Sequence, residues 1–183
     1  MANRPRPLPF APDSARIVPA GNDAPAANAF CVQAPDGTVY HAYRFPHPAV
    51  AATVVLKDRR RDAYLLIQRR NEPFAGYYAF PGGFLDVGRE RIEETAAREL
   101  EEEAGAHVDP KDLLLIDVRS DPGRDPRDHV FDIGYYAEVD AAEAAPRDEA
   151  SSIRWATAAE IETLPLAFDH TDLWRAVKAR LRL

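Results

Sequence analysis

The chain has 183 residues, 46% of them apolar and 29% charged, and 23 lysines and arginines stand against 30 aspartates and glutamates, a net charge of −7 with neutral histidines. These values fit one folded domain with a buried core and exclude a disordered chain, a collagen-like chain and a strongly basic nucleic-acid binder. A single cysteine, Cys31, excludes an internal disulfide and a cysteine zinc cage, and with no apolar run of ~20 residues and no apolar leader the expected compartment is a reducing cytoplasm, with neither membrane nor nucleic acid as partner.

Six of the sixteen prolines fall in residues 1–28 without any apolar period, which predicts an extended arm ahead of a single domain over residues 29–183. Residues 30–33 and 38–45 flank Asp36-Gly37, a hairpin signal. Two β-rich runs follow at residues 50–56 and 64–68, separated by a charged turn. Four of the nine glycines lie in residues 76–88, a loop needing unusual backbone angles or close approach to another group. Residues 90–104 read as a helix, since Ile92, Ala96, Leu100 and Ala104 recur every fourth position and Gly105 provides a stop. Further strands are predicted at 113–118 and 130–139, a short helix at 158–164, and an amphipathic helix at 171–183 with Leu173, Trp174, Val177 and Leu181 inside.

The charge is concentrated. Residues 90–103 hold seven glutamates and two arginines, a net −5 in fourteen residues. On a helix, Glu99, Glu102 and Glu103 share one face. Two like charges ~4 Å apart repel by about 4 kcal/mol at an effective dielectric near 20. Such carboxylates stay splayed in water, rise in pKa, or bind a hard divalent cation through oxygen ligands.

The run Gly83-Phe84-Leu85-Asp86-Val87-Gly88-Arg89-Glu90, followed by Arg98-Glu99-Leu100-Glu101-Glu102-Glu103-Ala104-Gly105-Ala106, resembles the Nudix box. That pattern is Gly, five residues, Glu, seven residues, then Arg-Glu-aliphatic-any-Glu-Glu-any-Gly-aliphatic. This chain departs from it twice, with six residues between Gly83 and Glu90 and with the small Ala106 at the final aliphatic position. The likeness extends over residues 50–175. It includes Leu65-Leu66-Ile67-Gln68-Arg69-Arg70 and Ala79-Phe80-Pro81-Gly82-Gly83. Arg124-Asp125-Pro126-Arg127, Leu166-Ala167-Phe168-Asp169-His170 and the position of Pro122 are similar to an ADP-ribose-hydrolase-like branch.

The resemblance implies an α/β fold, an α/β/α sandwich with a mixed β-sheet between helices. It also implies that Glu99, Glu102, Glu103 and the Gly82 carbonyl bind Mg²⁺, with Mn²⁺ as substitute, and that Glu90 and Arg98 form a salt bridge orienting the helix. The implied reaction is hydrolysis of a nucleoside diphosphate linked to another group, metal ions offsetting the developing charge and activating water. Glu99 is one candidate base, and Asp148 and Glu149, between the last two strands, are the others. Arg70 matches a strand-end arginine that contacts phosphate, with Arg124 and Arg127 as further candidates. Phe80, Tyr78 and Phe74 either stack on a base or belong to the core, and Phe168 and His170 carry the same two readings.

The leading expectation is therefore a Mg²⁺-dependent enzyme acting on ADP-ribose or a related NAD-derived nucleotide. A hydrolase that sanitises nucleoside triphosphates is the second enzyme reading. The reading from another class is a non-catalytic sensor of NAD-derived ligands, which the ending at Leu183, without a winged-helix segment, and the intact glutamates disfavour. The N-terminal arm is compatible with exchange between the subunits of a homodimer.

Overall fold

The turn expected at Asp36-Gly37 does join two strands. In the computed structural model, which describes residues 16–18, 29–33, 36–43, 47–140, 142–147 and 150–183, Gly37 takes a positive φ of 87° and the Thr38 N–H donates to Asp36 Oδ1 at 2.9 Å. The chain divides into two units, Met1–His47 and Pro48–Leu183. The first holds β1 (Arg16–Val18), β2 (Ala29–Gln33) and β3 (Val39–Tyr43), an antiparallel sheet in the order β1-β2-β3. β1 falls inside the stretch read as an extended arm. Its Ile17 pairs with Val32 of β2, so a short β-branched segment finds a strand edge where composition alone suggested none. The rest of the expected arm lies outside the described residues.

The second unit is built on a mixed seven-stranded sheet. Its long strands are β4 (Ala49–Asp58), β5 (Ala63–Arg69), β8 (Leu114–Arg119), β9 (Val130–Val139) and β10 (Ala150–Ala156), in the order β10-β5-β4-β9-β8. β4 and β9 run parallel over ten residue pairs, from Ala49 opposite Val130 to Asp58 opposite Val139. Two short strands that the glycine pattern conceals, β6 (Tyr78–Ala79) and β7 (Gly82–Phe84), pair with β5 and β4. β10 has no marked apolar run, because Ser151, Ser152 and Arg154 interrupt it.

Strand alternation divides the core between two faces. Ala52, Val54 and Leu56 of β4 and Leu65 and Ile67 of β5 pack with Ala96, Leu100 and Ala104 of α1 (Ile92–Ala104). Val55, Tyr64 and Leu66 pack on the other side with Ile161 of α2 (Ala158–Ile161) and with Leu173, Trp174 and Val177 of α3 (His170–Leu181). The result is the α/β/α sandwich. The fourfold spacing predicted for α1 is met, with Ala96, Leu100 and Ala104 fully buried. The helix stops at Gly105, whose φ of 64° suits glycine and whose N–H reaches the Glu101 carbonyl at 2.8 Å. Among the described residues no helix is long and apolar enough to cross a membrane.

Candidate active site

β7 places the glycines against α1. Val54 N–H donates to the Pro81 carbonyl and Leu85 N–H to the Val50 carbonyl, so the Thr53–Gly82 pair between them is a non-hydrogen-bonded pair of the antiparallel ladder. The Gly82 N–H and C=O therefore turn away from β4, and the N–H donates to Glu103 Oε2 at 3.0 Å. Gly82 is required sterically by fixed backbone, whereas a side chain at Gly83 would displace the Glu99 carboxylate. A Cβ on Gly82 would lie 2.3 Å from the Ala52 carbonyl oxygen, and one on Gly83 would lie 2.4 Å from Glu99 Cδ. The loop lets the strand backbone touch the acidic helix.

Arg98 organises that helix. Its Nε and Nη2 donate to the two oxygens of Glu90 at 3.0 and 2.8 Å, Nη1 donates to Glu99 at 2.7 Å and to Glu102 at 2.8 Å, and Nη2 also reaches the Phe84 carbonyl at 3.1 Å. Five donors meet five acceptors, which only a guanidinium can do. Glu90 accepts further from Thr95 Oγ1 at 2.8 Å and from the Asp86 N–H at 3.0 Å. The Arg98 hydrogen bond holds the Glu90 carboxyl down to about 2, and the same contact raises Arg98. The extra residue before Glu90 is taken up in the turn where Arg89 N–H donates to the Asp86 carbonyl and Gly88 has a φ of 81°.

Glu103 is buried at 7% exposure, whereas the Glu102 side chain is 48% exposed. Burial pushes Glu99 above the usual carboxylate range, against the lowering effect of Arg98. Among the described residues no three carboxylate, imidazole or thiol groups already surround one point. The oxygen-only donor set on consecutive turns still has the chemistry of a hard-cation site, and a cation there would compete with Arg98 for Glu99 and Glu102.

These residues line a cavity of about 970 Å³. Arg69, Arg124 and Arg127 line it as well, with Phe84 and Phe168. The Arg127 guanidinium lies 5.0 Å from the Phe84 ring centre and 5.3 Å from that of Phe168, and Arg69 lies 4.9 Å from Phe168. Asp125 holds Arg127 through two bonds of 3.0 and 2.7 Å. Below them, a buried charge network joins segments far apart in the chain. Asp169 accepts two bonds from Arg124, at 2.8 and 2.7 Å, and one from Arg119 at 3.1 Å. Asp132 accepts from Arg119 and, at 2.9 Å, from Thr53 Oγ1.

Of the residues singled out in the sequence, Glu99, Glu102, Glu103, Gly82, Arg98 and Arg127 come together around this cavity, and Glu90 stands behind Arg98. Arg70 is not among the lining residues; it donates to the Ala150 carbonyl at 3.0 Å. Arg69, overlooked, shares the strand face of Leu65 and Ile67, and period-two counting along β5 points to it. Phe80 is 1% exposed and packs on His170 and Trp174, at centroid distances of 5.8 and 6.2 Å, so its ring belongs to the core. Phe74 packs edge-on against Phe168. Asp148 and Glu149 lie outside the described residues. Asp132 and Thr53 carried no local sequence signal.

Known proteins share this family and fold. The model of the NUDIX domain matches residues 46–177. An ADP-ribose pyrophosphatase of Methanocaldococcus jannaschii is 43% identical over 129 residues, 69% of this chain and 71% of that protein. The ADPR responsive transcriptional repressor NtrR of Acinetobacter baylyi is 31% identical over 146 residues, 78% of this chain but only 58% of the repressor. The NUDIX domain of Shewanella oneidensis NrtR, solved as a complex with ADP ribose, superimposes with a TM-score of 0.67 at 29% identity, covering 75% of this chain and 90% of that one.

Proposed function

This chain belongs to the Nudix family, and from that premise we propose that it is a Mg²⁺-dependent hydrolase cleaving the diphosphate linkage of ADP-ribose or a related NAD-derived nucleotide. The observation that carries the reading is a single cavity lined by Glu99, Glu102 and Glu103 and also by Arg69, Arg124 and Arg127. The first set suits a cation and the second an anion, and a metal-bound diphosphate presents both. The 43% identity to an ADP-ribose pyrophosphatase supports the choice of substrate.

Glu99, Glu102, Glu103 and the Gly82 carbonyl would hold Mg²⁺, or Mn²⁺ in its place. Bound there, the ion supplies charge neutralisation on the phosphate oxygens and lowers the pKa of a water molecule. The chain's own residues do the positioning. The Gly82 N–H fixes Glu103, the missing Cβ of Gly83 admits Glu99, and Arg98 aligns the glutamates from behind. Arg127, steadied by Asp125 and by the Phe84 and Phe168 rings beneath its guanidinium, presents positive charge to the diphosphate. Water attacks one phosphorus, the bridging P–O bond breaks, and a carboxylate accepts the proton of the attacking water, a role for which Glu99 in the cavity wall is the candidate.

Incubation with a nucleotide panel and Mg²⁺ tests this. AMP released from ADP-ribose supports it, pyrophosphate released from nucleoside triphosphates favours a sanitising enzyme, and no turnover of any conjugate refutes it. The similarity to a repressor motivates a second reading as a non-catalytic sensor, for which ADP-ribose binds without AMP being released.

A further inference from the structure

His170, at the start of α3, is 5% exposed and lines the cavity. Its Nδ1 lies 3.1 Å from the Phe80 backbone nitrogen. A backbone amide can only donate, so Nδ1 is the acceptor and the ring proton resides on Nε2. Protonating Nδ1 as well would set two donors against each other, and burial together with the nearby Arg119 charge pushes His170 down to about 3. The imidazole is thus neutral and in one tautomer. Among the described residues no fully buried side-chain nitrogen lacks a hydrogen-bond partner, and the ring's hydrogen bond within these residues is the one at Nδ1. Nε2 is therefore not fully enclosed, and the residue that carries it lines the cavity.

We infer that His170 is a substrate-binding residue whose Nε2–H donates to an acceptor oxygen of the bound nucleotide, an interaction that rests on the hydrolase reading of the cavity given above. The neighbouring cations and carboxylates, Arg119, Arg124, Arg69 and Asp169, give the site its charge. What His170 adds is an uncharged donor of fixed direction, which reads a hydroxyl or phosphate oxygen by position. The Phe80 contact sets that direction, tying the cavity floor to the strand-and-glycine segment that carries Gly82.

Two substitutions that each mimic one ring nitrogen separate this role from a structural one. His170→Asn keeps an acceptor near Nδ1 for the Phe80 N–H and loses the cavity donor, whereas His170→Gln keeps a donor near Nε2 and weakens the Phe80 contact. With ADP-ribose as substrate, His170→Asn should fold with a lowered Tm, since the buried ring packing on Phe80 is lost, and raise KM by about tenfold, the size expected for one lost hydrogen bond in a desolvated site. His170→Gln should lower stability and keep KM within about threefold of the wild type. Spectra of wild-type protein labelled with ¹⁵N-histidine should show the Nε2–H form of His170, with its proton resonance shifting when ADP-ribose is added. Wild-type turnover with an unchanged KM in His170→Asn and a stationary Nε2–H signal overturns this inference alone. Failure of the wild type to bind or hydrolyse ADP-ribose overturns the hydrolase reading and this inference with it.

Discussion

Replacing Glu90 by glutamine removes the charge that anchors Arg98 while keeping the side chain's shape. In the folded protein this carboxyl accepts two bonds from Arg98, one from Thr95 and one from the Asp86 N–H. Its pKa is held at about 2, against 4.5 for an ordinary glutamate. Because the folded value lies below the unfolded one, the ionised carboxylate stabilises the fold fully above pH 4.5, and that contribution disappears as the pH falls toward 2. The shift corresponds to about 3 kcal/mol, and solvent at this partly accessible pair reduces the expected loss to about 2 kcal/mol. Urea unfolding of wild type and Glu90→Gln at neutral pH should show that gap with equal m-values, and the gap should close to within about 0.5 kcal/mol near pH 2.5. A gap that is absent at neutral pH, or that persists unchanged in acid, refutes the reasoning.

The two glycines should respond differently to alanine. Gly82→Ala meets the fixed Ala52 carbonyl oxygen and should cost about 2 kcal/mol or more in chemical denaturation, whereas Gly83→Ala meets the movable Glu99 carboxylate and should leave unfolding nearly unchanged while lowering kcat/KM by about tenfold or more. Asp169→Asn leaves Arg119 and Arg124 short of a buried counter-charge and should lower stability by about 3 kcal/mol in thermal or urea unfolding. His170, held near 3 when folded and near 6.5 when unfolded, favours the folded state in its neutral form. That stability is complete above pH 6.5 and falls as the pH drops toward 3, so between neutral pH and about pH 4 the wild type should lose about 3 kcal/mol more than His170→Gln.

The acidic helix was readable because its signal is local. Apolar residues every fourth position fix its buried stripe, the seven-residue step from Glu90 to Arg98 survives the inserted loop residue, and Gly105 ends it. The buried charge network beneath the opposing wall was not readable for the opposite reason. Thr53, Arg119, Asp132 and Asp169 meet only because β4, β8, β9 and the start of α3 converge, and no spacing in the chain announces that convergence. Arg69 and Arg70 are alike in composition and differ only in strand parity and the end of β5. Phe80 looks like a stacking ring until the packing of His170 and Trp174 encloses it. The net charge of −7 likewise conceals four arginines in the cavity wall.

Product analysis of ADP-ribose incubated with the wild-type protein and with Glu102→Gln/Glu103→Gln, with and without Mg²⁺, tests the central claim most directly. The account predicts AMP from the wild type only when Mg²⁺ is present, and a loss of that activity by about a hundredfold or more in the double variant. Equal turnover by the two proteins, or no turnover of ADP-ribose under any metal condition, would contradict it.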